Sequence, residues 1–329
     1  MTTTLIPTTA PPAFHQLARP TRWWRPLLVL LTAVLFYVAM AIVPMLALVI
    51  LADVHPSSRA GQALANLESF NAPVGLAAGL VSVALMWPAT ALAVRLVGQR
   101  SARTLLSIAG RLRWRLIARA SVITAVVFVV FGAVLWLVGP STETTSNGAG
   151  TDGSFGRMAL MLGIVLLVVP WQAAAEEVVF RGLFTQTVGS WLRHPAWAIL
   201  LPVPLFVFAH GYSLAGLIEV GVFAIVAGYL TWRTGGLEAA IGMHVVNNLG
   251  AFAIAILTGA DLEATEVEPL AALISIAYTL VTAALILAGT RRRDGRSYRE
   301  VGPFGAPNGN NSSRAGLRHH STMPTRTAT

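Results

Sequence analysis

The stretch Trp171-Gln172-Ala173-Ala174-Ala175-Glu176-Glu177-Val178-Val179-Phe180-Arg181-Gly182 closes an apolar run that begins at Met158. Two adjacent glutamates and an arginine therefore sit at the end of a segment that reads as membrane-embedded. Each such group costs roughly 2.5–3.5 kcal/mol at mid-bilayer on a translocon scale. A chain keeps them together when they pair, line a wet cavity or do chemistry. On a helix, neighbours point about 100° apart and residues four apart share a face. Glu177 and Arg181 are thus expected to pair, with the glutamate in the better N-terminal position. Glu176 points elsewhere, with Phe180 rather than a cation four residues on. The reading is that Glu177 and Arg181 hold the helix while Glu176 faces a reaction. The plain alternative is a juxtamembrane salt bridge beside a solvated carboxylate.

Composition sets the class. A length of 329 residues would suit two or three soluble domains, but 55% of the residues are hydrophobic and 11% charged. Mean hydropathy is +0.67. Several apolar runs reach the roughly 18 residues that a spanning helix needs. The expected fold is an all-α, polytopic transmembrane helix bundle of about eight spans with an intramembrane catalytic cavity. The net charge of +9 comes from 23 basic and 14 acidic residues. The arginines cluster in short loops between apolar runs, which marks topology rather than nucleic-acid binding. Without cysteine, the chain has no disulfides, thiolate ligands or cysteine nucleophile.

In chain order, residues 1–25 read as a disordered tail ending in the basic, aromatic edge Arg22-Trp23-Trp24-Arg25. Residues 26–139 read as N-terminal transmembrane helices. Within them, Arg100, Arg103, Arg111, Arg113, Arg115 and Arg119 alternate with leucines, isoleucine and tryptophan. That pattern predicts an interfacial amphipathic helix near 101–119 lying on anionic lipid. A polar loop over 141–156 precedes the fourth span. The fifth, 196–210, is short and carries Pro202 and Pro204. Spans six and seven complete a unit over 157–258, the eighth covers 269–289, and 290–329 reads as a disordered basic tail. Basic and acidic or neutral loops alternate, which places both termini in the cytoplasm of a cell-membrane protein. No internal repeat is evident, which weighs against a transporter.

More polar groups interrupt the later spans. Phe206-Val207-Phe208-Ala209-His210 ends span five, and His244-Val245-Val246-Asn247-Asn248 lies inside span seven. His244 and Asn248 share a helical face and can address one point. Taken singly, each histidine is as readily a satisfied core imidazole. Together, Glu176–Arg181, Phe206–His210 and His244–Asn248 on successive apolar helices resemble the CPBP family of CAAX proteases and bacteriocin-processing enzymes, also called Abi or type II CAAX prenyl endopeptidase-like proteins. The resemblance covers about residues 158–253, and the approach Arg233-Thr234-Gly235-Gly236-Leu237 belongs to it.

The resemblance implies peptide-bond hydrolysis within the membrane. It implies that Glu176 and His210 activate a water while His244 and Asn248 stabilise the oxyanion. The residue types suit those tasks, since a carboxylate in a low-dielectric cavity can act as base and amide or imidazole N–H groups can meet developing charge. The expected substrate is a membrane-embedded or lipidated protein or peptide, with no nucleic acid. No cofactor is favoured. If zinc or another divalent metal is used, Glu176, His210 and His244 are the candidate ligands, although no His-Glu-x-x-His pair occurs on one helix. Trp197 to His210 spans about 20 Å and Gly236 to His244 about 12 Å at 1.5 Å per residue. The two histidines meet only if span five tilts or kinks, which Pro202 and Pro204 could cause. A cavity open to the cytoplasm would then admit water and substrate. Two alternatives remain open: a non-catalytic scaffold or immunity protein of the same fold, and an ion carrier using Glu219.

Overall fold

The structure is a computed structural model that describes residues 12–19, 21–138 and 155–291. Among these residues it is all-helical, with a single isolated β-bridge between Ser107 and Gly236. The long helices are α1 (Arg25–Val54), α2 (Pro73–Leu96), α3 (Trp114–Val138), α4 (Phe155–Trp191), α6 (Leu214–Thr234), α7 (Glu238–Thr258) and α8 (Pro269–Arg291). A shorter apolar helix, α5 (Pro195–Phe208), lies between α4 and α6. Among the described residues, seven helices are long and apolar enough to cross a membrane. Their lipid-facing stripes are leucine, valine and isoleucine left exposed, as along α1 at Leu27, Leu31, Val34 and Leu35. The protein is a multi-pass membrane protein.

The loops sort by charge onto two ends. At one end Ile108 N donates to Gly235 O and Leu237 N to Leu106 O, joining the α2–α3 loop to the α6–α7 turn. At the other, Asn71 bonds Asp261, Phe70 N donates to Glu263, and Ser213 N donates to Thr265 O. The first is called the basic end below and the second the acidic end. α5 connects them although it is short, and a turn at Leu201-Pro202 divides it. The bend expected from Pro202 and Pro204 falls there, because a proline cannot donate to the preceding turn.

α7 packs between α3 and α4, α2 lies against α4, and α6 is held by α5 and α8. Small residues allow the close crossings. A Cβ on Gly242 of α7 would meet Ile117 O of α3 at 2.7 Å. α6 and α7 both end on a left-handed glycine, Gly235 at φ 71° and Gly259 at φ 70°.

Two expectations need correction. Residues 101–119 do not form one amphipathic helix. Ala102–Leu105 is a single 3-10 turn, residues 107–113 are irregular, and only Trp114 onward is helical, as the start of α3. Tertiary contacts outweigh the local pattern: Leu105 and Ser107 are buried, and Arg113 turns inward onto Glu238. Nor is the whole of 1–25 a free tail. Phe14–Gln16 forms a 3-10 turn with Phe14 and His15 buried. His15 Nε2 bonds Arg193 O, and Arg19 Nε donates to Gly189 O at 2.7 Å. A phenylalanine that can enter a core outweighs the polar composition around it. Of the expected loop at 141–156 and the expected tail at 290–329, residues 141–154 and 292–329 lie outside the described residues, whereas 155–156 open α4 and 290–291 close α8.

Candidate active site

Glu176 and Glu177 end the regular part of α4, and a π-helical turn, Val178–Phe184, follows at once. Such turns occur mostly as single insertions, often at functional sites. Here it leaves Arg181 able to reach back. Arg181 Nη1 donates to Glu177 Oε1 at 3.0 Å, with both side chains buried. The guanidinium also covers the face of Phe206, 4.1 Å from the ring centroid. A cation over an aromatic face gains roughly 2 kcal/mol or more when desolvated.

His244 joins α7 to both glutamates. Its Nδ1 donates to Glu177 Oε1 at 2.8 Å, and its Nε2 lies 3.8 Å from Glu176 Oε2. Because a carboxylate only accepts, Glu177 assigns the proton to Nδ1. The neutral ring then presents a lone pair at Nε2, and only the imidazolium donates from both nitrogens. With His244 neutral, Glu176, Glu177 and Arg181 sum to one negative charge. Phe223, 4.9 Å from the imidazole ring, packs beside it.

One turn toward the acidic end lies a second polar layer. Gln172 Nε2 donates to Glu176 Oε1, and Asn248 Nδ2 donates to Gln172 Oε1 at 3.3 Å. Glu176 thus has an in-helix partner four residues before it rather than after. Glu176 Oε2 has no hydrogen-bond partner among the described residues, although Glu176 is only 8% exposed.

His210 stands at the rim. Its Nδ1 donates to Phe206 O at 2.8 Å, which leaves Nε2 as the acceptor of a neutral ring. Phe206 is the common neighbour of the two histidines, its ring 4.7 Å from His210 and 6.5 Å from His244. The structure therefore links Glu176, Glu177, Arg181, His244 and Asn248 through hydrogen bonds or close ionic approach. It brings His210 to the group through Phe206. His210 and Asn248 are half-buried, whereas Glu177, Arg181 and His244, nearer the basic end, are buried.

Among the described residues no three His, Asp or Glu side chains are grouped to hold an ion. In particular Glu176, His210 and His244 are not assembled as such a group.

Some of these residues escaped the sequence reading. Gln172 carries the same four-residue spacing that exposed Glu177 and Arg181, applied backward. Phe223 had no signal, being one aromatic in an apolar helix. Glu238, wholly buried, grips Arg113 through both carboxylate oxygens at 2.8 Å and fixes the start of α7 below His244. Only the fold brings that arginine to it.

Residues 156–250 match the family model described as type II CAAX prenyl endopeptidase Rce1-like. A Bacillus subtilis (strain 168) protein named "Uncharacterized protein YyaK" is 28% identical over 170 residues, which cover 49% of this chain and 55% of that protein. The chain thus spans about half the length of that curated relative. No solved structure matches.

Proposed function

We propose, for a chain whose residues 156–250 carry an Rce1-like type II CAAX prenyl endopeptidase domain, that it hydrolyses a peptide bond of a membrane-associated protein or peptide through a glutamate-activated water. The observation that carries this reading is His244, bonded to Glu177 through Nδ1 and facing Glu176 through Nε2. Glu176 Oε2, without a hydrogen-bond partner among the described residues, is the atom that takes the water's proton. His210, its Nδ1 occupied, accepts through Nε2 and orients the same water from the rim.

As the water oxygen bonds the carbonyl carbon, the carbonyl oxygen becomes an oxyanion. The Asn248 amide donates to it. His244, entering the reaction as the imidazolium that Glu177 stabilises through Nδ1, donates a second hydrogen bond from Nε2–H to the oxyanion and keeps that proton throughout. The C–N bond then breaks, and the proton held by Glu176 passes to the leaving amine. Glu177 and Arg181 are positioning residues in this scheme. No step uses a metal, and the substrate is membrane-embedded or lipidated.

The test uses full-length chain in proteoliposomes with a lipidated, membrane-tethered reporter peptide. Glu176→Gln and His210→Ala should each abolish cleavage, and Asn248→Ala should slow it by about 10²–10³. Wild-type turnover by Glu176→Gln would end the proposal. Dialysis against a chelator should leave activity intact; loss restored by stoichiometric zinc would overturn the metal-free scheme while leaving the site. Comparing membrane proteomes of wild-type and Glu176→Gln strains would then identify the substrate.

A further inference from the structure

A cleft at the basic end lies away from the cluster just described. It encloses about 200 Å³ and is lined by Arg19 and Thr21 ahead of α1, Arg25 and Val29 on α1, Gln99 and Arg100 after α2, and Leu183 and Thr187 on α4. Three arginines from three separate segments thus face one space.

Among the described residues none of them has an acidic partner. Arg19 donates to Gly189 O, Arg25 to Gln99 Oε1, and Arg100 to Thr104 Oγ1 and Gln186 Oε1. All of these acceptors are neutral. Elsewhere this chain treats inward-turned arginines differently: Arg113 has Glu238 and Arg181 has Glu177. Arg100 is sunk far enough that burial alone pushes its guanidinium down to about 10. Unpaired charge taken out of water is costly, and like charges around one cleft repel. Each guanidinium also has N–H donors beyond those used here, in a geometry suited to phosphate.

The surroundings fix the kind of anion. Trp23 and Trp24 are exposed beside the cleft, and Trp191 Nε1 donates to Trp23 O at 2.8 Å, an aromatic arrangement expected at the membrane–water boundary. The cleft's remaining wall, Leu17, Pro26, Val29 and Leu183, is apolar. A charged head beside an apolar wall at that level matches an amphiphile rather than a folded partner.

We propose that Arg19, Arg25 and Arg100 form a phosphate-binding site, filled by the phosphate of an anionic lipid headgroup or by free phosphate. Because Leu183 and Thr187 belong to α4, occupancy braces the helix that carries Glu176, Glu177 and Arg181. The site stands whether or not the chain is a protease.

The experiment titrates delipidated, full-length protein in neutral detergent with phosphatidic acid, phosphatidylcholine or inorganic phosphate. Native mass spectrometry counts bound molecules, and thermal unfolding reports stabilisation. One phosphatidic acid per chain, preferred at least tenfold over phosphatidylcholine, is expected. Arg25→Gln, at an accessible position, should lose that preference while unfolding like wild type without lipid. Arg100→Gln should lose it too, and Arg111→Gln, outside the cleft, should keep it. Competition by inorganic phosphate, or stabilisation by phosphate with no lipid preference, would support the site and name free phosphate as a sufficient source. Equal phosphatidic acid binding by wild type and Arg25→Gln, or no binding of either anion, would overturn it.

Discussion

At the scale of single residues, the cluster is a chain of dependencies that begins at Arg181. It holds Glu177, Glu177 orients His244, and His244 faces Glu176. Removing the first link strands a buried carboxylate. Arg181→Ala should therefore cost about 3–5 kcal/mol of stability, read as a lower unfolding midpoint and a lower yield in detergent. A variant as stable as wild type but inactive would place Arg181 among the catalytic groups instead. Gln172 makes the opposite prediction. It ties Glu176 to Asn248 and carries no charge. Gln172→Leu should lower turnover by about 10²-fold through misplacement of the base, with little change in unfolding. The pairing of Glu177 with Arg181 was legible because a helix imposes the four-residue rule locally. That His244 would choose Glu177 over Glu176 was not, because it depends on where α7 crosses α4.

At the scale of elements, two docked segments replace what local patterning suggests. The α2–α3 loop is held by Arg113 on Glu238, a bidentate contact with one partner wholly buried. Glu238→Ala should loosen the start of α7, and with it His244. The expected result is several kcal/mol of destabilisation together with faster proteolysis between Gly98 and Arg113. The N-terminal turn is held partly by His15. Burial, its largest influence, pushes that imidazole below its ordinary value of 6.5. Its Nδ1 has no partner, so a second proton would be buried without an acceptor. The neutral form docks, and the contribution is fully present above pH 6.5. As the pH falls below that value and then through the lowered folded-state value, the unfolded segment binds protons more readily and docking weakens. Protease sensitivity of residues 12–19 should rise on acidification in wild type and stay flat in His15→Gln. The same pH response in both would show that another group is responsible.

At the scale of the whole molecule, alternation of loop charge and alternation of loop position agree. The loops that meet through Ile108, Gly235, Leu106 and Leu237 carry arginines, and those that meet through Asn71, Asp261, Phe70 and Glu263 carry carboxylates. Single cysteines at Glu68 and Arg111, introduced into a chain without cysteine, should react with an impermeant maleimide from opposite sides. By the positive-inside rule the expected side for Arg111 is the cytoplasm. Labelling of both positions from one side would refute the crossing order. The site sits within this frame as two polar layers, one buried near the basic end and one a turn further on in which Gln172 is buried and Asn248 half-buried.

The sequence by itself determined that the chain crosses a membrane many times, and roughly where each helix lies. Spanning length, apolar composition and loop arginines are local quantities that lipid reads directly. It also determined that Glu176, Glu177, Arg181, His210, His244 and Asn248 belong in one discussion, because ionisable and amide groups in apolar helices need a reason. Tertiary structure alone decided their wiring. Gln172 lies between Glu176 and Asn248, Phe206 between the two histidines, and Glu238 on Arg113 across more than a hundred residues of chain. It also overruled the amphipathic reading of 101–119, since a basic and leucine-rich segment can serve a lipid surface or a protein groove equally well. The groove formed by α4 and the α6–α7 turn was nearer, and a buried Leu105 with a paired Arg113 is more stable there than on lipid.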